Sequence, residues 1–241
     1  ELVKNTEIME AVGTGVVDMG VGLGSYWAGK IPVATIEYGL PYSFVNRAEM
    51  QSFLYKQGFL EVLREAYATH NVYYAGLAID NGFTLLSKDP VNTIDDIKKM
   101  KLRATGGGGL LLQQLEASMV SVAGPELYTA LATGVIDGCV YGGFKTQWQL
   151  GNHEQTNYVM WPKIMSVHGP WNLLVNMDKW NSLPEDLKAV VEAAWVEQEM
   201  LNFLNKYNGD IEYLGKMQDY GLKVVVLSEA DQAIMREAAQ V

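Results

Sequence analysis

The segment Ala11-Val-Gly-Thr-Gly-Val-Val-Asp18 returns without a gap as Ala130-Leu-Ala-Thr-Gly-Val-Ile-Asp137, 119 residues further along the chain. Each copy reads as a helix end, a glycine stop and a buried strand, with the Asp where the chain enters the strand. Two copies so far apart imply two lobes of related architecture, and paired lobes leave a cleft in which small ligands bind.

The segments between the copies keep the same alternation. Leu2, Ile8, Met9 and Val12 fall near helical spacing, and Gly13 and Gly15 end that helix before a strand over 16–21. A helix is predicted from Asn46 through Tyr67, with Phe53, Leu54, Phe59, Leu60 and Leu63 as its apolar stripe. Val72 to Ile79 reads as a strand, and Thr93 with the acids after it caps a helix start. Lys101 to Thr105 is a short strand that runs into Gly106–Gly109 and a helix from Leu110 to Ala117. Helix 125–132, strand 135–140 and strand 172–176 follow. Ser182-Leu-Pro-Glu185 is a capping box with Pro in the first turn, and it opens a long helix. Strands alternating with helices predict an α/β fold with largely parallel sheets. The two lobes are assigned to 1–99 with about 173–203, and to 100–172 with about 204–241.

Composition removes several classes of function. The 241 residues carry a formal net charge of −10 and no Lys/Arg cluster, a surface that repels nucleic acid. No stretch approaches the ~20 apolar residues of a membrane span, and no basic start with an apolar run marks a signal peptide. Cys139 is the only cysteine, which excludes an internal disulfide and a cysteine zinc cage. His70, His153 and His168 stand at no metal-ligand spacing, and there is no G-x-S-x-G nucleophile elbow. Gly106–Gly109 is not a nucleotide loop, because no Lys-Ser or Lys-Thr follows it. Asp80 and Asp137 are the only acids that can be placed as a carboxylate pair near the cleft, and Asp137 is better explained as a turn residue. No catalytic group, cofactor or metal site emerges.

A binding site does. Arg103 ends a strand just before the glycine run and a helix N-terminus, where free N–H groups and the helix dipole favour an anion. A guanidinium adds a bidentate carboxylate clamp there, against the alternative of a surface salt bridge. Aromatics follow strand ends in Gly-rich loops: Tyr26, Trp27, Phe83, Tyr141, Phe144 and Trp171. About half of them are expected to line the pocket and the rest to fill the core. Asn81, Asn172 and His168 complete the set of candidate ligand contacts as polar groups.

Lys101-Leu-Arg103, then Pro125-Glu-Leu-Tyr128-Thr-Ala-Leu131, then Gly134-Val-Ile-Asp-Gly138 resembles the central signature of the TRAP-transporter solute receptors, the DctP family. Ala11 to Val21, Leu40-Pro-Tyr-Ser-Phe44, Ile94-Asp-Asp-Ile97 and Trp180 to Pro184 resemble further family segments in the same order. The resemblance implies a two-lobe periplasmic-binding-protein-like fold with a long interlobe helix. It implies a periplasmic receptor, not an enzyme, that closes on a small organic carboxylate and hands it to TRAP membrane subunits. Arg103 takes the family's carboxylate-clamping role. Relatives that hold 2-oxo acids through a metal carry a Gln, a Glu-Trp pair and a further Glu. This chain has Gly82, Val140-Tyr141 and no such Glu, so a metal-bridged ligand fits less well. Set against the family, the chain lacks a first strand and helix, and its closing helices are short.

One arginine among aromatics favours a monocarboxylate with an apolar, aromatic or 2-oxo/2-hydroxy body, since an unpartnered second carboxylate costs several kcal/mol to bury. A dicarboxylate would need a second cation from Lys30, Lys88 or Arg47. The remaining alternatives are a two-lobe enzyme acting on a carboxylate, and a receptor serving another uptake or sensing system.

Overall fold

The computed structural model of the chain describes residues 2–44, 46–80, 82–161, 163 and 171–240. The chain divides into two compact units: Glu1–Gly39, Phe44–Asp80 and Pro170–Leu204 form unit 1, and Leu40–Ser43, Asn81–Gly169 and Asn205–Val241 form unit 2. Residues 81–99, assigned from sequence to the first lobe, thus pack in unit 2. The reason is strand pairing: Leu85–Ser87 pairs with strands on both sides inside unit 2.

Unit 1 is built on α1 (Ile8–Gly13), β1 (Met19–Gly22), α2 (Ala34–Glu37), α3 (Arg47–Lys56), α4 (Phe59–Ala68) and β2 (Val72–Ala78). Its sheet has the order β1-β8-β2, where β8 (Trp171–Asn176) is antiparallel to both neighbours. The single helix expected over 46–67 is two. Gly58 takes φ +85° between α3 and α4, a conformation that breaks a helix and that glycine adopts without steric cost. Asn46 caps α3 by accepting from the Glu49 N–H at 3.0 Å. One core joins these elements, with Met9, Val12, Leu54, Leu63, Tyr67 and Leu174 within it. After β8 come α9 (Met177–Ser182) and the 36-residue helix α10 (Glu185–Tyr220), which passes from unit 1 into unit 2.

Unit 2 holds β3 (Leu85–Ser87), α5 (Ile94–Lys98), β4 (Lys101–Arg103), α6 (Gly106–Gln114), β5 (Ser118–Met119), α7 (Leu127–Ala132), β6 (Gly138–Val140), α8 (Phe144–Gln149), β7 (Tyr158–Met160), β9 (Lys223–Val225) and α11 (Glu229–Ala238). The order of its sheet is β5-β4-β6-β3-β7-β9. Pairs β4–β5, β4–β6 and β7–β9 are parallel, while β3 runs antiparallel to β6 and β7. The expectation of largely parallel sheets is therefore corrected: one sheet is antiparallel and the other mixed. Short-range periodicity cannot carry strand direction when a partner arrives some hundred residues later, as β8 does between β1 and β2.

Thr93 and Asp96 form the capping box expected at α5. The glycines 106–109 are the first turn of α6, not a loop before it. Several of the repeat's turn bonds recur in both copies. Val17 N–H donates to Ala11 O and Ile136 N–H to Ala130 O, both at 3.2 Å. Thr14 and Thr133 each turn a hydroxyl back to the carbonyl four residues earlier, at 2.7 and 2.8 Å. Among the described residues, no helix is long and apolar enough to cross a membrane.

Candidate functional site

Arg103 stands at the end of β4, where parallel pairing sets it beside Cys139 on β6. Its side chain turns inward and is 4% exposed. Nε donates to the Val122 carbonyl at 2.9 Å and Nη1 to the Val140 carbonyl at 3.2 Å. The Tyr141 ring lies with its centroid 5.0 Å from the guanidinium carbon. Both acceptors are neutral, and among the described residues no carboxylate pairs with Arg103. A guanidinium has five donors, and two are placed. A cation withdrawn from water without a counter-charge is costly, by several kcal/mol even after relaxation. The surface-salt-bridge reading fails here, since the group is neither at the surface nor bridged.

A cavity of about 320 Å³ opens between the first turn of α6 and the chain after β5, and Arg103 is not among the residues that line it. Thr105, Gly106, Gln113 and Ser121 line it, and Ala104 and Ser121 are the chain neighbours of Arg103 and Val122. Phe83 is half-buried against the core that includes Leu85 and Leu102. Phe144 is 1% exposed, tilted against Trp161 and packed with Leu86, Val159 and Met217, so its ring belongs to the interior. Cys139 is fully buried, and desolvation pushes its thiol up to about 12, which suits an inert side chain.

Unit 1 buries an acidic side chain, which the sequence reading missed. The Glu37 carboxyl, 1% exposed, accepts from Tyr67 Oη at 2.5 Å, Asn172 Nδ2 at 2.5 Å and Tyr74 Oη at 3.2 Å. Trp27 Nε1 donates to Tyr67 Oη at 2.6 Å. Two glycines make room for this cluster: a Cβ on Gly22 would meet the Trp27 ring at 2.4 Å, and one on Gly24 the Glu37 carboxylate at 2.6 Å. Burial raises Glu37 to about 7, while its three donors pull the other way. Trp27 and Asn172, both sequence candidates for ligand contact, thus sit in a core network, and Asn172 Oδ1 has no hydrogen-bond partner there. Tyr26 is half-buried, edge-on to Trp27 with centroids 6.4 Å apart. Trp171 Nε1 donates to Asp80 at 3.3 Å. Asn81 and His168 lie outside the described residues. An acid at the end of the mostly apolar run Ile31 to Ile36 was the available signal for Glu37.

Neither Lys30 nor Arg47 stands as a spare cation. Lys30 pairs with Glu10, and the Arg47 guanidinium pairs with buried Glu199, which also accepts the Ile79 N–H at 3.1 Å. No group of three or more His, Cys, Asp or Glu side chains poised for a metal occurs among the described residues.

The family model for bacterial extracellular solute-binding protein, family 7, named DctP, matches residues 1–241. The chain belongs to the DctP family. It is 28% identical to a monocarboxylate 2-oxoacid-binding periplasmic protein of Nostoc sp., over all of this chain and 65% of that protein. It is 29% identical to the C4-dicarboxylate-binding periplasmic protein of Rhodobacter capsulatus, over 82% of this chain and 59% of that one. The chain thus spans less than two thirds of the length of these DctP relatives. A TRAP transporter solute-binding protein of Bordetella bronchiseptica, a dimer with calcium and picolinate in one active site, superposes with TM-score 0.88 at 25% identity, covering all of this chain and 71% of that one. Within this family, the α/β fold of two units and the long helix α10 are the expected architecture.

Proposed function

We propose that this DctP-family chain is the periplasmic receptor of a TRAP transporter and binds a small organic monocarboxylate, with the carboxylate on Arg103. The carrying observation is a guanidinium that is buried, held in place by two backbone carbonyls, and matched by no acid among the described residues. Fixed acceptors on Nε and Nη1 hold the group still, so an arriving carboxylate meets a preorganised donor set and costs little reorganisation. The Tyr141 ring beside it suits a flat or apolar body on the ligand. Phe83, half-buried against the neighbouring core, is taken as a further contact in this reading. Tyr26, Trp171, Asn81 and His168 are further candidate contacts, and Trp27, Phe144 and Asn172 belong to the cores of their own units. The ligand passes unchanged to TRAP membrane subunits, with no turnover.

The Nostoc and Bordetella relatives, whose names carry a 2-oxoacid and picolinate, favour the monocarboxylate class. The Rhodobacter relative favours a dicarboxylate. Against that second reading, Arg47 and Lys30 are already paired with acids.

A thermal-shift screen against pyruvate, picolinate, benzoate and succinate tests the proposal. A ligand that binds only the folded state raises the melting temperature with the logarithm of its concentration over Kd. A rise with monocarboxylates, larger than with succinate and without product formation, is expected. A flat response to all four, or conversion of any of them, would overturn the receptor reading.

A further inference from the structure

We propose that Gly124 sets ligand preference at the Arg103 site by leaving the space into which the Tyr141 ring folds. This deepens the receptor reading and rests on it. Gly124 opens the 3-10 turn Gly124–Glu126 ahead of α7. Its φ lies outside the left-handed region, so any residue can adopt its backbone there, and conformation does not explain the glycine. Space does. A Cβ on residue 124 would stand 2.5 Å from Tyr141 Oη, 2.9 Å from Cζ and 3.1 Å from Cε2.

The ring is rigid, so a methyl group at 124 moves all of it. On one side, Tyr141 packs against a cluster of Leu127, Leu131, Ile136 and Cys139 in which each of these four is fully buried. Near it lies the Arg103 guanidinium. The packed cluster cannot yield, so the displaced ring leaves the guanidinium. The same turn thus does two things for Arg103. The Val122 carbonyl accepts a hydrogen bond from its Nε, and two residues on, Gly124 admits the aromatic cover. The Tyr141 hydroxyl has no hydrogen-bond partner among the described residues, which leaves it available as a donor or acceptor for a group next to the carboxylate. The site so formed prefers carboxylates with a flat aromatic body over small aliphatic ones.

Calorimetry with picolinate and pyruvate as probes, on the whole chain, tests this. Gly124→Ala is expected to weaken picolinate about tenfold, the scale of one lost aromatic contact, and pyruvate by less than about threefold. Tyr141→Ala should give the same pattern, and the double variant should be no worse than Tyr141→Ala alone. Melting temperatures supply a readout free of ligand. Gly124→Ala should destabilise the parent and be neutral in the Tyr141→Ala background, where the methyl has room, so the double variant folds even where the single one does not. Equal losses for the two probes, or additive effects in the double variant, would overturn the role of Gly124 while the receptor reading stands. Binding of neither probe by the parent protein would overturn both.

Discussion

Each unit of this protein buries an ionisable side chain, and the two are served in opposite ways. In unit 1 the Glu37 carboxyl is met by three side-chain donors drawn from α4, β2 and β8, and nothing further is asked of it. In unit 2 the Arg103 guanidinium receives two backbone carbonyls and no acid among the described residues. A buried group with a full set of partners is a structural device, and in the function proposed above one with a partial set of neutral partners is where an ion binds. The contrast separates core from function more sharply than residue type does. Trp27 and Tyr141 are both aromatic residues in Gly-rich surroundings, yet the first donates into the Glu37 network and the second faces the incomplete one.

The comparison breaks first at Arg103. Arg103→Ala should weaken carboxylate binding at least about 100-fold, since charge-assisted hydrogen bonds are lost together. Its melting temperature should change little or rise, because an unpaired buried cation is removed. Calorimetry and a melting curve on one sample decide this. Retained affinity, or a collapse of the fold in step with the affinity, would place Arg103 in the same class as Glu37.

The Glu37 side of the contrast is read by pH. A carboxyl raised to about 7 in the native state keeps its proton while the unfolded chain, near 4.5, loses it. The native state then binds more protons, so this group's contribution to stability is fully present below about 4.5 and declines as pH rises toward about 7. In Glu37→Gln that decline is absent. Denaturation midpoints measured from pH 4.5 to 7.5 should therefore fall more steeply for the parent than for the variant, by roughly 2–3 kcal/mol across the window. Parallel curves would show that the three donors outweigh burial and that Glu37 is ionised throughout.

What was legible in the sequence was local. The capping box at Thr93, the strand that presents Arg103 and a helix starting at Glu185 depend on residues a few positions apart, although Ser182 ends α9 and turns its hydroxyl back to the Lys179 carbonyl instead of capping α10. The features that were not legible depend on partners far along the chain. Trp27 is interior because Tyr67 lies 40 residues on, and Glu37 is satisfied by Asn172, 135 residues away. The break at Gly58 is an intermediate case. The stripe from Phe53 to Leu63 is apolar at helical spacing throughout, and a single positive φ redirects it. At the proposed site, the spacing singled out Arg103 and Tyr141 but gave no sign that, among the described residues, the guanidinium has no acid beside it, which is a statement about every other side chain around it.

The smallest expected effect returns to the internal repeat, where the two units agree. Gly15 and Gly134 occupy equivalent places after α1 and α7, with φ of +77° and +75°. A Cβ on Gly134 would meet nothing within 4 Å, and one on Gly15 only the Asn176 amide nitrogen at 3.8 Å, an ordinary contact. Substitution by Ala at either place therefore costs backbone strain alone, about 1 kcal/mol, and Asn, which tolerates this conformation better, should recover part of it. For a chain of this size the loss corresponds to a fall of about 2–4 °C in melting temperature. Equal losses at the two positions are expected, whatever ligand the protein holds, because both glycines serve the same turn in the chain. A marked inequality would mean that one copy of the turn carries a load the other does not, and that the units resemble each other in sequence more than in energetics.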